Sequence, residues 1–423
     1  MIYKANDKPP VLNWIVLSVQ HVFAMFGATI LVPLLTGLDV GVALITSGIG
    51  TLIYILCTKA KVPMYLGSSF AYIVAVQSAI VTSGGNLSGA LLGIILVGLI
   101  YIVVALVIKL IGTGWLHKLL PPVVIGPMIM IIGLGLAPVA IGNIGLTADT
   151  FDWKVLLVAV VTFASTVIIA LKGKGFLKII PFIVAVFIGY VLSAILGIVD
   201  YTPFAEASFF QLPKFNFTGL TKFDFSSILI FLPLAFVTIS EHIGDHIVLG
   251  EIMGEDFLKE PGLDKTLLGD GIATLVAGVL GGPANTSYGE NTSVVGLTKV
   301  ASVWVTGLAA IIAIFLGFFG YIQAFIASIP WAVIGGMTVV LYGFIAGNGV
   351  KVLIKDQTDL GDTRNLIILS TMLVLGLGGA MISFNAAAGL SGMALAAIVG
   401  IFLNLILPKT KNEEVSTIIM ITI

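Results

Sequence analysis

Apolar runs of about twenty residues recur along nearly the whole of this 423-residue sequence, separated by short polar stretches. No other feature constrains the fold as tightly. A helix needs about 20 apolar residues to cross the hydrocarbon core of a bilayer, and a water-soluble core could not hide this many. With 58% hydrophobic and only 10% charged residues, and a mean hydropathy of +1.16, the chain reads as an all-α polytopic membrane protein. No polar segment is long enough for a soluble domain.

Several function classes drop out at once. The formal net charge is −1, so no basic surface points to nucleic acid. Cys57 is the only cysteine, which excludes a disulfide framework and a cysteine-rich metal site. The first residues are polar, include Lys4 and Lys8, and lead straight into an apolar run, so no cleavable signal peptide is expected.

Breaks at Gly, Pro and charge clusters predict fourteen transmembrane segments, near 12–35, 40–58, 63–82, 87–110, 119–141, 154–171, 177–199, 226–250, 265–281, 283–298, 300–327, 329–347, 364–384 and 387–407. Cytoplasmic loops are enriched in Lys and Arg, which tests the count. With the N-terminus inside, seventeen of the 20 cations fall in alternate, inside loops; only Lys154, Lys214 and Lys222 fall outside. One missed span would scramble that alternation. Both termini are therefore expected in the cytoplasm.

The longest extracytoplasmic connection, 201–225, divides the chain into a first repeat over 1–200 and a second over 226–408, followed by a cytoplasmic tail over 409–423. Seven segments is an odd number, so the second set lies upside down relative to the first, the inverted-repeat logic of secondary transporters. Local punctuation agrees. SVQHVFAMFG in the first segment has a counterpart in ISEHIGDHIV in the eighth, and Tyr65 in VPMYLGSSFAY has one in Tyr288 of GPANTSYGENTSVV. Both of the latter stretches open on a proline, Pro63 or Pro283, and place glycine and small polar residues where a span would be apolar. Such stretches must face protein or a water-filled cavity, and interrupted segments at matching places in two halves point to a binding site. Close helix packing alone would not account for Glu290 and Asn291.

Glu241 and Asp245 are four apart and share a helix face. An isolated carboxylate near the bilayer centre costs about 2.5 kcal/mol or more, so a pair of them is a natural place to hold a proton, and Glu290 is a third acid near the same depth. Asp245 also reads as a solvated charge one turn from a cytoplasmic helix end. His242 and His246 have a metal-ligand spacing, but no third ligand is evident, no metal or cofactor is expected, and hydrogen-bonded residues between helices are the simpler reading. Gly289 lets backbone approach a ligand, and an unwound segment beside a helix N-terminus offers free N–H groups. Gly67, Ser68, Ser69 and Phe70 offer the same from the other half, with an aromatic face. Together these describe a site for a planar heterocycle with alternating N–H and C=O, which uracil fits.

At these residues the chain resembles the nucleobase–ascorbate transporter family, in its bacterial uracil permease branch. The resemblance is carried by VQHVFAMFGATILVP near the start, YLGSSFAY at 65–72, SEHIGDH at 240–246, NTSYGEN at 285–291 and LYGF at 341–344, in the family's order. It implies fourteen spans in two inverted sets of seven, core and gate domains, and short strands in segments three and ten that meet mid-membrane. Carried over residue by residue, it implies that Glu241 and Glu290 hydrogen-bond the base and that Phe70 and Gly289 give backbone contacts. Tyr288 would line the pocket, and Tyr342 would approach from the gate. His21 and Asn291 would hold the network behind the site; the family's histidine that takes part in proton coupling falls at Asp245, where an acid would do similar work or alter the coupling. The resemblance further implies a proton symporter working by alternating access in the bacterial inner (plasma) membrane, often as a homodimer. Two positions depart from the pattern: Asp245 stands where the family has histidine, and Ser293 where it has glycine. A purine or xanthine carrier on the same fold is the alternative, disfavoured by Glu290; an anion transporter or channel is disfavoured by the buried acids; and no nucleophile–base pair suggests an enzyme.

Overall fold

Where the sequence breaks, the backbone breaks, and the breaks are made by identifiable residues. The computed structural model describes residues 1–408 apart from 149, 179, 222–224, 386, 387 and 391. The expected tail at 409–423 and Lys222 lie outside the described residues.

Helix α1 (Val11–Thr36) follows Pro10 and stops at Gly37, whose φ of +75° suits glycine. Helix α2 (Val40–Cys57) is capped by Asp39, whose carboxylate accepts the Val42 N–H at 2.9 Å. After Pro63 comes strand β1 (Leu66–Ser68), a 3-10 turn over Phe70–Tyr72, and the half-length α3 (Ile73–Thr82). Then follow α4 (Ser88–Ile111), the short α5 (Gly114–Leu119), α6 (Pro122–Gly135), α7 (Ala137–Asn143), α8 (Trp153–Lys172) and α9 (Pro181–Ile195). Prolines at the starts of α6 and α9 sit where no intrahelical N–H bond is lost.

The second part opens with α10 (Thr202–Glu206) and the long α11 (Phe225–Met253), and continues with α12 (Leu263–Leu280), strand β2 (Asn285–Ser287) and the half-length α13 (Gly289–Thr298). It closes with α14 (Val303–Leu316), α15 (Gly320–Ala327), α16 (Trp331–Lys355), α17 (Thr363–Leu377), the hairpin β3 (Ile382–Asn385) and β4 (Ala388–Leu390), and α18 (Gly392–Ile406). Among the described residues, six helices are long and apolar enough to span a bilayer: α1, α2, α4, the run Pro122–Asn143, α8 and α16.

Several expected boundaries are corrected. The segment expected over 119–141 is one apolar run, Pro122–Asn143, interrupted at Leu136 where α6 gives way to α7. The one expected over 300–327 breaks at Gly317, and α15 restarts at Gly320. The one expected over 329–347 runs on to Lys355. Helix α17 ends at Leu377, before Gly378 and Gly379, and a hairpin occupies 382–390 where helix was expected on both sides.

Packing sorts the helices into two groups. In one, α12 lies against α4 and α2, α14 against α2 and α1, and α11 against α4 and α13. In the other, α16 lies against α6, α7, α8 and α9, and α17 against α6 and α18. The α4–α12 contact is close because both sides present glycine: a Cβ on Gly98 would stand 2.7 Å from the Gly271 carbonyl oxygen, and one on Gly271 would stand 3.0 Å from that of Gly98. Small residues let helix backbones approach in this way where hydrophobic driving force between helices is weak.

Candidate binding site

The centre of the first group is an antiparallel strand pair made from its two interrupted stretches. Strands β1 and β2 align Leu66 with Ser287, Gly67 with Thr286 and Ser68 with Asn285. The pairing is extended by the Ser69 N–H to the Ala284 carbonyl (2.8 Å) and the Tyr288 N–H to the Tyr65 carbonyl (3.0 Å). Two strands leave two open edges, and a buried edge needs partners. Helix α2 supplies one set: Ser47 donates to the Leu66 carbonyl (2.7 Å), and the Leu66 N–H donates to Thr51 (3.0 Å). Helix α12 supplies the other through Thr274, which donates to the Asn285 carbonyl at 3.0 Å. The hydroxyls scattered in these apolar helices therefore serve the strands.

Each strand runs into a half-helix whose first turn has N–H groups without intrahelical partners. At the start of α13, Tyr288 turns back over β1: its hydroxyl donates to the Ser68 carbonyl (2.9 Å) and accepts from Thr29 (3.2 Å). Its ring lies where a Cβ on Gly67 would stand, 2.4 Å from a ring carbon, so only glycine fits there. Gly289 is exposed and Glu290 is half-buried; Asn291 is buried and donates its amide to both the carbonyl oxygen (3.1 Å) and Nδ1 (3.0 Å) of His21 on α1. That joins the first turn of α13 to the middle of α1. Its far end is fixed by the N-terminal arm, where the Ala301 N–H donates to the Tyr3 carbonyl at 2.9 Å.

Helix α11 lays a polar face along this assembly. Asp245 is half-buried and accepts from the Ser287 hydroxyl at 2.9 Å; its other oxygen lies 3.7 Å from where a Cβ on Gly289 would stand. Glu241 is half-buried one turn earlier on the same helix. Beneath them is a network that joins His242 and His246 to Asp270 of α12, a partner that the sequence did not suggest. His242 and Asp270 of α12 are fully buried, with His242 Nδ1 at 2.9 Å from the carboxylate. His246 Nδ1 donates to the His242 carbonyl at 2.6 Å, which leaves Nε2 to accept from the Tyr54 hydroxyl. One turn before His242, Thr238 meets the hydroxyls of Tyr72 (2.6 Å) and Tyr101 (2.5 Å). Asp270 carried one readable signal: it is the sole acid in the apolar run LLGDGIATLV.

A cavity of about 280 Å³ lies between the two helix groups. The first group contributes Phe70, the small residues Ala24, Gly27 and Ala28 of α1, and Glu290 and Ser293 of α13; the second contributes Pro181 and Phe182 of α9 and Met337 and Leu341 of α16. Of the residues singled out from sequence, Glu290, Phe70 and Ser293 are on its wall. Gly289 stands beside Glu290, and Tyr342, which is buried, follows Leu341. Glu241 and Asp245 are not on its wall; they sit on α11, which packs against α13, while Tyr288, His21 and Asn291 fix the frame.

Residues 12–384 match the model of a permease family. The chain is 46% identical to the uracil permease of Bacillus subtilis over 424 residues, covering 97% of this chain and 96% of that one. It is 48% identical to the uracil permease of Bacillus caldolyticus over 410 residues, covering 95% and 94%. Among solved structures, the transmembrane domain of the cyanobacterial bicarbonate transporter BicA superposes with a TM-score of 0.62 at 15% identity, covering 94% of this chain and 98% of that one. At that identity the likeness is one of fold.

Proposed function

The chain belongs to the permease family, and on that premise we propose that it imports uracil by proton symport through alternating access. It is an integral, multi-pass membrane protein and a transporter rather than an enzyme. The observation that carries the substrate assignment is the placing of Glu290 on the cavity wall with Phe70 in the same cavity. A carboxylate accepts N–H bonds, an aromatic ring offers a stacking face, and the remaining wall is almost entirely apolar. A small planar ring edged with N–H groups satisfies all three.

The proton follows from the setting. Glu290, Glu241, Asp245 and Asp270 crowd a region walled by apolar helices, where isolated charge is costly. A proton travelling with the neutral base would relieve that cost at the moment of translocation. In this reading the strand-centred group is the core domain and the α16-centred group the gate, each built from both halves of a fourteen-span inverted repeat. The cavity extends along α13 and the start of α9 toward the lysine-bearing ends, which the charge rule puts in the cytoplasm, together with both termini. A plasma-membrane homodimer joined through the gate completes the proposal.

The test is uptake of labelled uracil by reconstituted protein under an outside-acid gradient. Accumulation that collapses with a protonophore supports both substrate and coupling. Uptake of xanthine without uracil would move the substrate while leaving the fold, and uptake indifferent to the gradient would remove the proton.

A further inference from the structure

On a wall this apolar, each polar atom decides what can enter. Among the residues lining the cavity, only Glu290 and Ser293 carry polar side chains. They stand three apart on α13 and so share a face, which Leu297 continues. Ser293 is exposed, whereas Thr292 and Val294 on either side are buried. Its Oγ lies 3.0 Å from the Gly289 carbonyl oxygen. A carbonyl can only accept, so the hydroxyl proton is committed to that bond, and the lone pairs are what Ser293 has to offer the cavity.

We propose that Ser293 is a specificity-determining residue whose Oγ accepts a second N–H from the substrate, alongside the one accepted by Glu290. The α13 side then reads an edge bearing two donors, and in uracil two N–H groups flank one carbonyl. This deepens the uracil reading and rests on it. A site built to pair a polar group discriminates strongly against analogues lacking that group, because its own atom is then left unpaired. The serine is thus a chemical filter as well as a change of bulk at a place where glycine would leave open space.

The experiment measures binding to the purified full-length chain by competition against labelled uracil, using Ser293→Ala and Ser293→Gly. Uracil is compared with 2-pyrimidinone, which keeps one ring N–H and lacks the other. Both variants are expected to bind uracil about 5–10-fold more weakly, the loss of one hydrogen bond, and to bind 2-pyrimidinone within about 2-fold of the parent chain. Unchanged uracil affinity in Ser293→Ala, or equal losses for both ligands, would overturn the acceptor role. A loss in Ser293→Gly alone would make the residue a matter of bulk and likewise overturn it. If the unaltered chain binds no uracil, the functional reading fails first, a result distinct from all of these.

Discussion

Strand β1 with α3 and strand β2 with α13 are built alike and carry different chemistry. Each is a three-residue strand followed by a ten-residue helix, and each has its outer edge satisfied by hydroxyls of an adjoining helix, α2 for one and α12 for the other. The groups brought to the cavity are not matched. The first arm presents the Phe70 ring; the second presents Glu290 and Ser293, with Asn291 tied behind them to His21. One arm is a stacking face and the other a set of acceptors. On the function proposed above, the shared geometry is scaffold and recognition would reside in the asymmetry between the arms.

The comparison breaks most completely at the scaffold itself. Gly67→Val would drive a side chain into the Tyr288 ring and the strand pair could not close. Most of the folded yield is expected to be lost, as read by size-exclusion chromatography in detergent, and normal recovery would show that the arms need not touch. Next comes the acceptor arm. Glu290→Ala should lower uracil uptake by about 100-fold, the order of effect seen when a charged partner of a buried ligand group is removed, with the melting temperature within a few degrees of the parent. Near-normal uptake would move the site away from α13. The stacking arm should yield less: Phe70→Ala is expected to raise the apparent Kd by about 10-fold, in keeping with the 0.5–1.5 kcal/mol of an aromatic pair, and Phe70→Tyr should restore it. If Phe70→Ala costs more than Glu290→Ala, the division of labour is reversed.

How much of this was legible depended on whether a residue's reason was local. The two interrupted stretches were readable because Pro63 and Pro283 open them and glycine fills them, and backbone physics punishes both inside a membrane helix. Glu290 and Asn291 stood out for the same reason, as residues with no packing purpose next to a break, and Phe70 as an aromatic face beside the other break. What stayed hidden was pairwise and distant. Ser47, Thr51 and Thr274 look like ordinary helix hydroxyls, which usually bond within their own turn; their role appears only when strand edges arrive against them. Asp270 is 28 residues from His242, and nothing local ties the two. The hairpin at 382–390 was missed because its apolar composition suits a span as well as a strand, and short apolar runs do not separate the two by periodicity.

The smallest expected effect concerns the approach to each arm. Lys61 lies between α2 and β1, Glu260 lies just before α12, and their side chains pair at the surface. Lys61 holds the Glu260 carboxyl below its ordinary value, chiefly through the hydrogen bond. A lowered folded-state value contributes stability above the unfolded value, about 4.3 for glutamate, and loses it as pH falls through the lowered one. Both side chains are largely in water, where such pairs are weak and screened by salt. Glu260→Gln should therefore depress the melting temperature by at most about one degree at pH 7. That difference should shrink with added salt and vanish below about pH 4. A larger loss that persists in acid would mean the loop leading to α12 is held by Glu260 in some way other than charge. The two arms would then differ in how they are anchored as well as in what they present.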